Sequence, residues 1–130
     1  VEKPLFYYPK TFTKGEQTLI FEGPLDGLSA LELTKLNCIA TLDAPSMNEK
    51  NMSNKKHEFE RLKGSDIELY LDRDIRGLEA KNALIIFLQN NEYTATKKSM
   101  IELCKGFGVK YNGVNDANDL LKKVRSFEHG

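Results

Sequence analysis

Five carboxylates in this sequence fall directly behind short apolar runs. Glu22 and Asp26 follow Leu19-Ile20-Phe21, Asp43 follows Cys38–Leu42, and Asp72 and Asp74 follow Ile67–Leu71. In Asp72-Arg73-Asp74 the two acids are spaced i, i+2, so an extended backbone turns both to one side and Arg73 away. Carboxylates crowded in this way repel one another, which raises their pKa or recruits a cation. Hard oxygen ligands that leave room for water suit Mg2+ or Mn2+. Taken singly, each acid also suits an ordinary role. Asp74 precedes a helix and Asp26 falls in the first turn of another, where a carboxylate is favoured as a cap or by the helix dipole. As a set that closes several buried strands, they point to a divalent-metal site.

Those acids converge only if the elements before them lie side by side. Gln17–Glu22 is a β-rich apolar run stopped by Gly23-Pro24. Leu25, Leu28, Leu31, Leu33 and Leu36 then give helical spacing, closed at Asn37, and Cys38–Leu42 reads as a second buried strand. Asp43–Ser53 is polar and reads as irregular, and Asn54–Lys63 as a charged helix ended by Gly64. Asp66–Leu71 predicts a third strand and Gly77–Gln89 a helix. A fourth strand is placed at Glu92–Thr96 or at Val109–Tyr111, with Ser99–Lys105 a helix or a turn. Ala117, Leu120, Leu121 and Val124 mark an amphipathic helix beginning near Asp116. Strands alternating with helices predict an α/β fold of about four mostly parallel strands covered by helices on both faces. In such a sheet, ligands bind beyond the carboxyl ends of the strands. Residues 1–16 read as an arm that packs through Phe6, Tyr7, Tyr8 and Phe12 without regular structure.

Glu22-Gly23-Pro24-Leu25-Asp26 resembles the EGxxD signature of TOPRIM domains, and Leu69–Gly77 resembles their second signature, an apolar strand leading into DxDxxG. Between them, Ala40-Thr41-Leu42 is similar to the second-strand ATL of bacterial primases, although Asp43 stands where those usually have glycine. Asn115–Leu121 resembles the late KDxNDxL segment of primase-type members, with Asn115 in place of the lysine. The resemblance covers about Gln17–Gln89 in order and spacing, with the late segment beyond it. It implies a TOPRIM, Rossmann-like fold over residues 17–127, after the arm and before a tail at 128–130. It also implies phosphoryl chemistry on nucleic acid. Glu22 would act as general acid or base, with Asp26, Asp72 and Asp74 completing the catalytic set. Glu22, Asp72, Asp74 and Asp116 would hold Mg2+ or Mn2+. By charge and position alone, Arg73 and Arg76 beside the acids suit contact with substrate phosphate or service as counter-charges to Asp72 and Asp74, and Lys97 and Lys98 suit phosphate contact or plain solvation. Asp116 serves equally as the N-cap of the last helix.

Leu28-Ser29-Ala30-Leu31 and the late segment resemble primase-like proteins of phages, plasmids and mobile elements. The expectation is the TOPRIM module of a DNA primase-like protein, an excised piece of a larger chain, making RNA primers on single-stranded DNA. Its partners would be nucleotides, other domains of the parent protein or a helicase. A small metal-dependent nuclease and a non-catalytic nucleic-acid-binding module are the alternatives. No tyrosine is placed by a motif as a nucleophile, which argues against a topoisomerase.

The 130 residues carry 19 basic and 19 acidic side chains. That balance excludes binding to nucleic acid by bulk charge. It conceals local differences. Asp66–Glu79 holds five acids and two arginines, whereas Lys97–Arg125 holds seven basic residues and three acids. Two cysteines and two histidines, without zinc spacing, predict buried free thiols and a reducing, cytoplasmic setting. The longest apolar run, Ala83–Leu88, is far too short to span a membrane.

Overall fold

Ile20 and Phe21 are consecutive on one strand, so they face opposite sides of a sheet, and both are buried. A strand in that position must be covered twice. The computed structural model describes residues 4–9, 11–42, 47–70 and 75–129, the side chains of 75–77 and 127–129 excepted. Within it β1 (Phe6–Tyr7), β2 (Thr18–Glu22), β3 (Asn37–Thr41), β4 (Asp66–Tyr70) and β5 (Thr94–Lys97) form one sheet in the order β1-β3-β2-β4-β5. The last four run parallel, and β1 pairs antiparallel with β3. The helices are α1 (Pro24–Thr34), α2 (Glu49–Asn54), α3 (Ile75–Asn90), α4 (Met100–Gly106) and α5 (Ala117–His129), with a 3-10 segment at Lys56–Leu62.

Alternation along the strands divides the core into two layers. Ile20, Ile39, Ile67 and Leu69 face Leu84 and Leu88 of α3 together with Met52, Phe59 and Leu62. Leu19, Phe21, Cys38 and Tyr70 face Ala30 of α1, Leu103 and Cys104 of α4 and Leu120 of α5. The α/β architecture with helices on both faces is therefore as expected, and so are the buried thiols of Cys38 and Cys104, which form no disulfide. Burial pushes the Cys104 thiol above its ordinary range, and Lys123 offsets this in part. No helix among the described residues is long and apolar enough to cross a membrane.

Four expectations need correction. The arm is part of the sheet: Phe6 and Tyr7 pair with Thr41 and Ala40, and the Leu42 amide donates to the Leu5 carbonyl at 3.1 Å. A two-residue strand has no periodicity to read, and only its partner defines it. Within Asp43–Ser53, Glu49 begins a helix capped by Asn48, whose side chain accepts from the Asn51 amide. The charged stretch after it winds as a 3-10 segment, which lets Phe59 and Leu62 both reach the core. Asn37 opens β3 instead of closing α1. The helix ends at Lys35 in the left-handed conformation, and the buried Asn37 amide exchanges hydrogen bonds with the Thr13 backbone at 2.7 and 3.0 Å. Of the two placements left open for the fourth strand, the first is met in large part, since the strand is Thr94–Lys97, and Val109–Tyr111 is not a strand.

Phe59 joins the arm, the 3-10 segment and α3. Its ring meets Phe6 edge-on at 5.3 Å and Phe87 at 4.8 Å. Replacing it with alanine is expected to cost about 3–5 kcal/mol through lost burial and the cavity left behind. Urea denaturation monitored by circular dichroism measures that loss.

Candidate active-site cleft

β2 runs between β3 and β4. α1, which follows β2, lies on one face, and α3, which follows β4, lies on the other. The strand order reverses between these two neighbours, so the helices part and leave a crevice at the carboxyl ends of β2 and β4, the usual ligand position in an open α/β sheet. A cleft of about 170 Å³ is found there.

Glu22 is the last residue of β2, in register with Thr41. The Gly23 amide continues the ladder to the Thr41 carbonyl at 3.2 Å, and the backbone then turns at a φ of +86°, a region that glycine enters freely. Pro24 fits the first helical turn, which has no use for its missing N–H. The turn brings Asp26 into the first turn of α1, next to the partial positive charge of the helix end. Gly27 lies so close on β3 that an added methyl would touch Ala40 at 3.4 Å, so α1 starts directly over the strand end. Glu22 and Asp26 are both partly buried and both line the cleft.

Asp116 reaches the same cleft from a distant part of the chain. It is the N-cap of α5: its Oδ1 accepts from the Asp119 amide at 2.8 Å, while Asp119 Oδ2 accepts from the Asn115 amide at 3.0 Å. Ala117 and Leu120 are buried behind it. The Ser29 hydroxyl hydrogen-bonds to Asn118 Oδ1 at 3.3 Å, and Arg125 pairs with Glu32, so α5 is held along α1. Ser29 lies one turn beyond Asp26, and Asn118 two residues beyond Asp116. The seam thus brings both acids to the same cleft.

Phe21, Tyr70, Met100 and Ala117 supply the apolar lining of the cleft, and Lys81, Lys98, Ser99 and Asn115 the remaining polar groups. Lys98 stands 4.0 Å from Glu102, one turn into α4. Lys97 does not line the cleft; its ammonium donates to Asn82 at 3.1 Å. The structure therefore brings Glu22, Asp26, Asp116 and Lys98 together and leaves Lys97 outside. Asp72, Arg73, Asp74 and the side chain of Arg76 lie outside the described residues, as does Asp43. Among the described residues, no group of three His, Cys, Asp or Glu side chains is arranged to hold a metal ion. Glu22, Asp26 and Asp116 are the right donor type for a hard cation, and a full ligand set would need acids beyond them. Lys81, Ser99 and Asn115 were not anticipated. The available signal was positional: the second turn of α3 and the residue after Lys98 both follow strand ends. Compared with models of known protein families, with curated proteins and with solved structures, the chain gave no match.

Two outcomes test this geometry. Asp116→Ala should lower stability by about 1 kcal/mol as a lost cap, whereas Asp116→Asn, which still accepts a hydrogen bond, should cost little. Chemical denaturation compares them. The second concerns Tyr70, which stacks on Phe21 at 5.1 Å and donates to Glu68 at 2.8 Å. Burial, followed by the hydrogen bond to Glu68 and its charge, pushes the Tyr70 hydroxyl far above its ordinary range. Its contribution to stability is complete below about pH 10, where an unfolded tyrosine ionises, and is lost as pH rises toward the folded-state value. Melting temperature should fall above about pH 10, and Tyr70→Phe should make that fall shallower. Burial also raises the hydroxyls of Tyr8 and Tyr93, which would account for the remaining slope.

Proposed function

We propose that this chain is the catalytic TOPRIM module of a DNA primase-like protein, performing Mg2+-dependent nucleotidyl transfer with nucleotides on single-stranded DNA. One observation carries the reading. Glu22 and Asp26, spaced as in EGxxD, share a cleft at the switch point of a parallel sheet with Asp116 of the late segment Asn115–Leu121. The acids come from two stretches about ninety residues apart, each with its own likeness to that family.

On this reading Glu22, Asp72, Asp74 and Asp116 would hold Mg2+ or Mn2+, which supplies charge neutralisation at the phosphoryl group. The chain's own groups do the rest. Glu22, on a rigid strand end, exchanges a proton with the reacting hydroxyl. Asp26 shares the opening turn of α1 and supports the negative field that attracts the cation. Asp116 lines the cleft and is tied down by capping through one carboxylate oxygen. Tyr70 and Phe21 form a stacked, apolar backing that limits water behind the acids. The reading carries with it a cytoplasmic setting and partners in other domains of the parent protein or a helicase.

The deciding experiment is Mn2+ titration followed by NMR relaxation or electron paramagnetic resonance. Specific broadening around Glu22 and Asp116, abolished together with primer synthesis in the parent protein by Glu22→Gln, is the expected result. A chain that binds no Mn2+, or a Glu22→Gln parent that still makes primers, defeats the reading. Metal-dependent cleavage of DNA by the isolated chain would favour the nuclease alternative.

A further inference from the structure

The turn ahead of α5 holds a reactive pair. Asn112-Gly113 is the single Asn-Gly step in the sequence, and both residues are exposed. They form the corner of a turn closed by the Val114 amide on the Tyr111 carbonyl at 2.9 Å, with Gly113 at a φ of +79°. That is type II geometry, which places glycine at the third position. With no side chain beside it, the Gly113 nitrogen is unshielded, and it donates no hydrogen bond among the described residues. Asp26-Gly27 is a comparable pair, but there the glycine amide is occupied, donating to the Gly23 carbonyl at 3.3 Å. A cation is held on the peptide group of the exposed pair. The Lys123 ammonium donates to the Asn112 carbonyl oxygen, and a Cβ added at Gly113 would lie 4.0 Å from that ammonium. The Asn112 carbonyl and the Gly113 N–H belong to one amide. When the Gly113 nitrogen gives its proton to hydroxide in water, the negative charge is shared with the Asn112 oxygen. A donor placed where charge develops lowers the barrier to that step.

We propose that Asn112 is a modification site, deamidated through a cyclic imide with Gly113, and that Lys123 activates it. The deprotonated Gly113 nitrogen bonds to the Asn112 side-chain carbonyl carbon, and the adduct takes up a proton and expels ammonia. Ring closure needs rotation about the Asn112 Cα–C bond, which the one turn hydrogen bond resists by only about 1 kcal/mol. Lys123 follows the carbonyl on its flexible stem. Water then opens the imide. Cleavage at the side-chain carbonyl restores the peptide bond and leaves aspartate. Cleavage at the main-chain carbonyl routes the backbone through Cβ and Cγ and leaves isoaspartate. Either product puts a carboxylate beside Lys123 and adds one acid to a chain balanced at 19 and 19. Isoaspartate also lengthens the backbone just ahead of buried Val114 and of Asn115 and Asp116, which line the cleft. None of this rests on the metal-dependent reading above.

The test is prolonged incubation of the full chain in neutral buffer, followed by peptide mass spectrometry. Enzymatic methyl transfer from S-adenosylmethionine to isoaspartate gives a second readout. Position 112 should become an acid faster than any other asparagine in the chain, with ammonia released and isoaspartate among the products. Lys123→Met should slow that conversion about tenfold, the worth of one charge-assisted hydrogen bond. Lys123→Arg should keep most of the wild-type rate, and Lys122→Met should leave it within about twofold. A lysine that merely braced the turn would act with the opposite sign, since its loss would loosen the turn and speed the reaction. A Lys123→Met chain that converts as fast as the wild type, or faster, therefore overturns the activation. A wild-type chain that remains asparagine at position 112 overturns the site, and aspartate formed without isoaspartate overturns the cyclic route. Thermal melts confirm that each variant is folded.

Discussion

Parallel pairing of β2 with both β3 and β4 is the constraint on which the rest of this structure depends. It uses the backbone groups of β2 on both edges, and the burial of Ile20 and Phe21 closes both faces. A strand sealed in this way has no place for a charged side chain along its length, because an unpaired buried charge costs several kcal/mol. Polar chemistry is therefore displaced to the strand ends. Glu22 is the first position at which β2 admits a carboxylate, and Glu68, on the outer strand pair, is tolerated with a hydrogen bond from Tyr70.

The same pairing governs the helices. Because β3 and β4 flank β2 on opposite sides, the connections from β2 and β4 cover opposite faces and separate at the carboxyl edge. What turns this opening into a specific cleft is the seam between α1 and α5. Each residue of the segment Asn115–Leu120 has a distinct position in it. Asn115 and Asp116 line the cleft, Ala117 and Leu120 are buried, Asn118 meets Ser29, and Asp119 closes the reciprocal cap. Capping and a role in the cleft are not competing explanations for Asp116, since one carboxylate oxygen serves the helix and the other remains.

Neutral overall charge conceals how the charges are deployed. Surface lysines spend themselves locally: Lys97 on Asn82, Lys98 partly on Glu102, Lys63 on Glu60. Exposed pairs of this kind contribute little stability. Their consequence is to leave the field at the cleft to the few groups that face it. Among the described residues, three acids and two lysines there, with one lysine partly compensated, make a polarised opening on a protein whose total charge is zero.

Much of this was legible in the chain itself. Short apolar runs bounded by Gly-Pro, Asn or Asp determined β2, β3 and β4, and the i, i+3, i+4, i+7 spacing of Ala117, Leu120, Leu121 and Val124 determined α5. Local patterns of this sort report burial, which follows from side-chain chemistry alone. The acids closing those runs were legible for the same reason. Tertiary structure alone decided that Phe6-Tyr7 is an edge strand, that Thr94–Lys97 and not Val109–Tyr111 extends the sheet, and that Lys81 rather than Lys97 faces the cleft. Pairing with a strand far away in the chain defines the first two. The third depends on where α3 lies on the sheet and how the chain leaves β5, and a lysine in a sequence carries no mark of either.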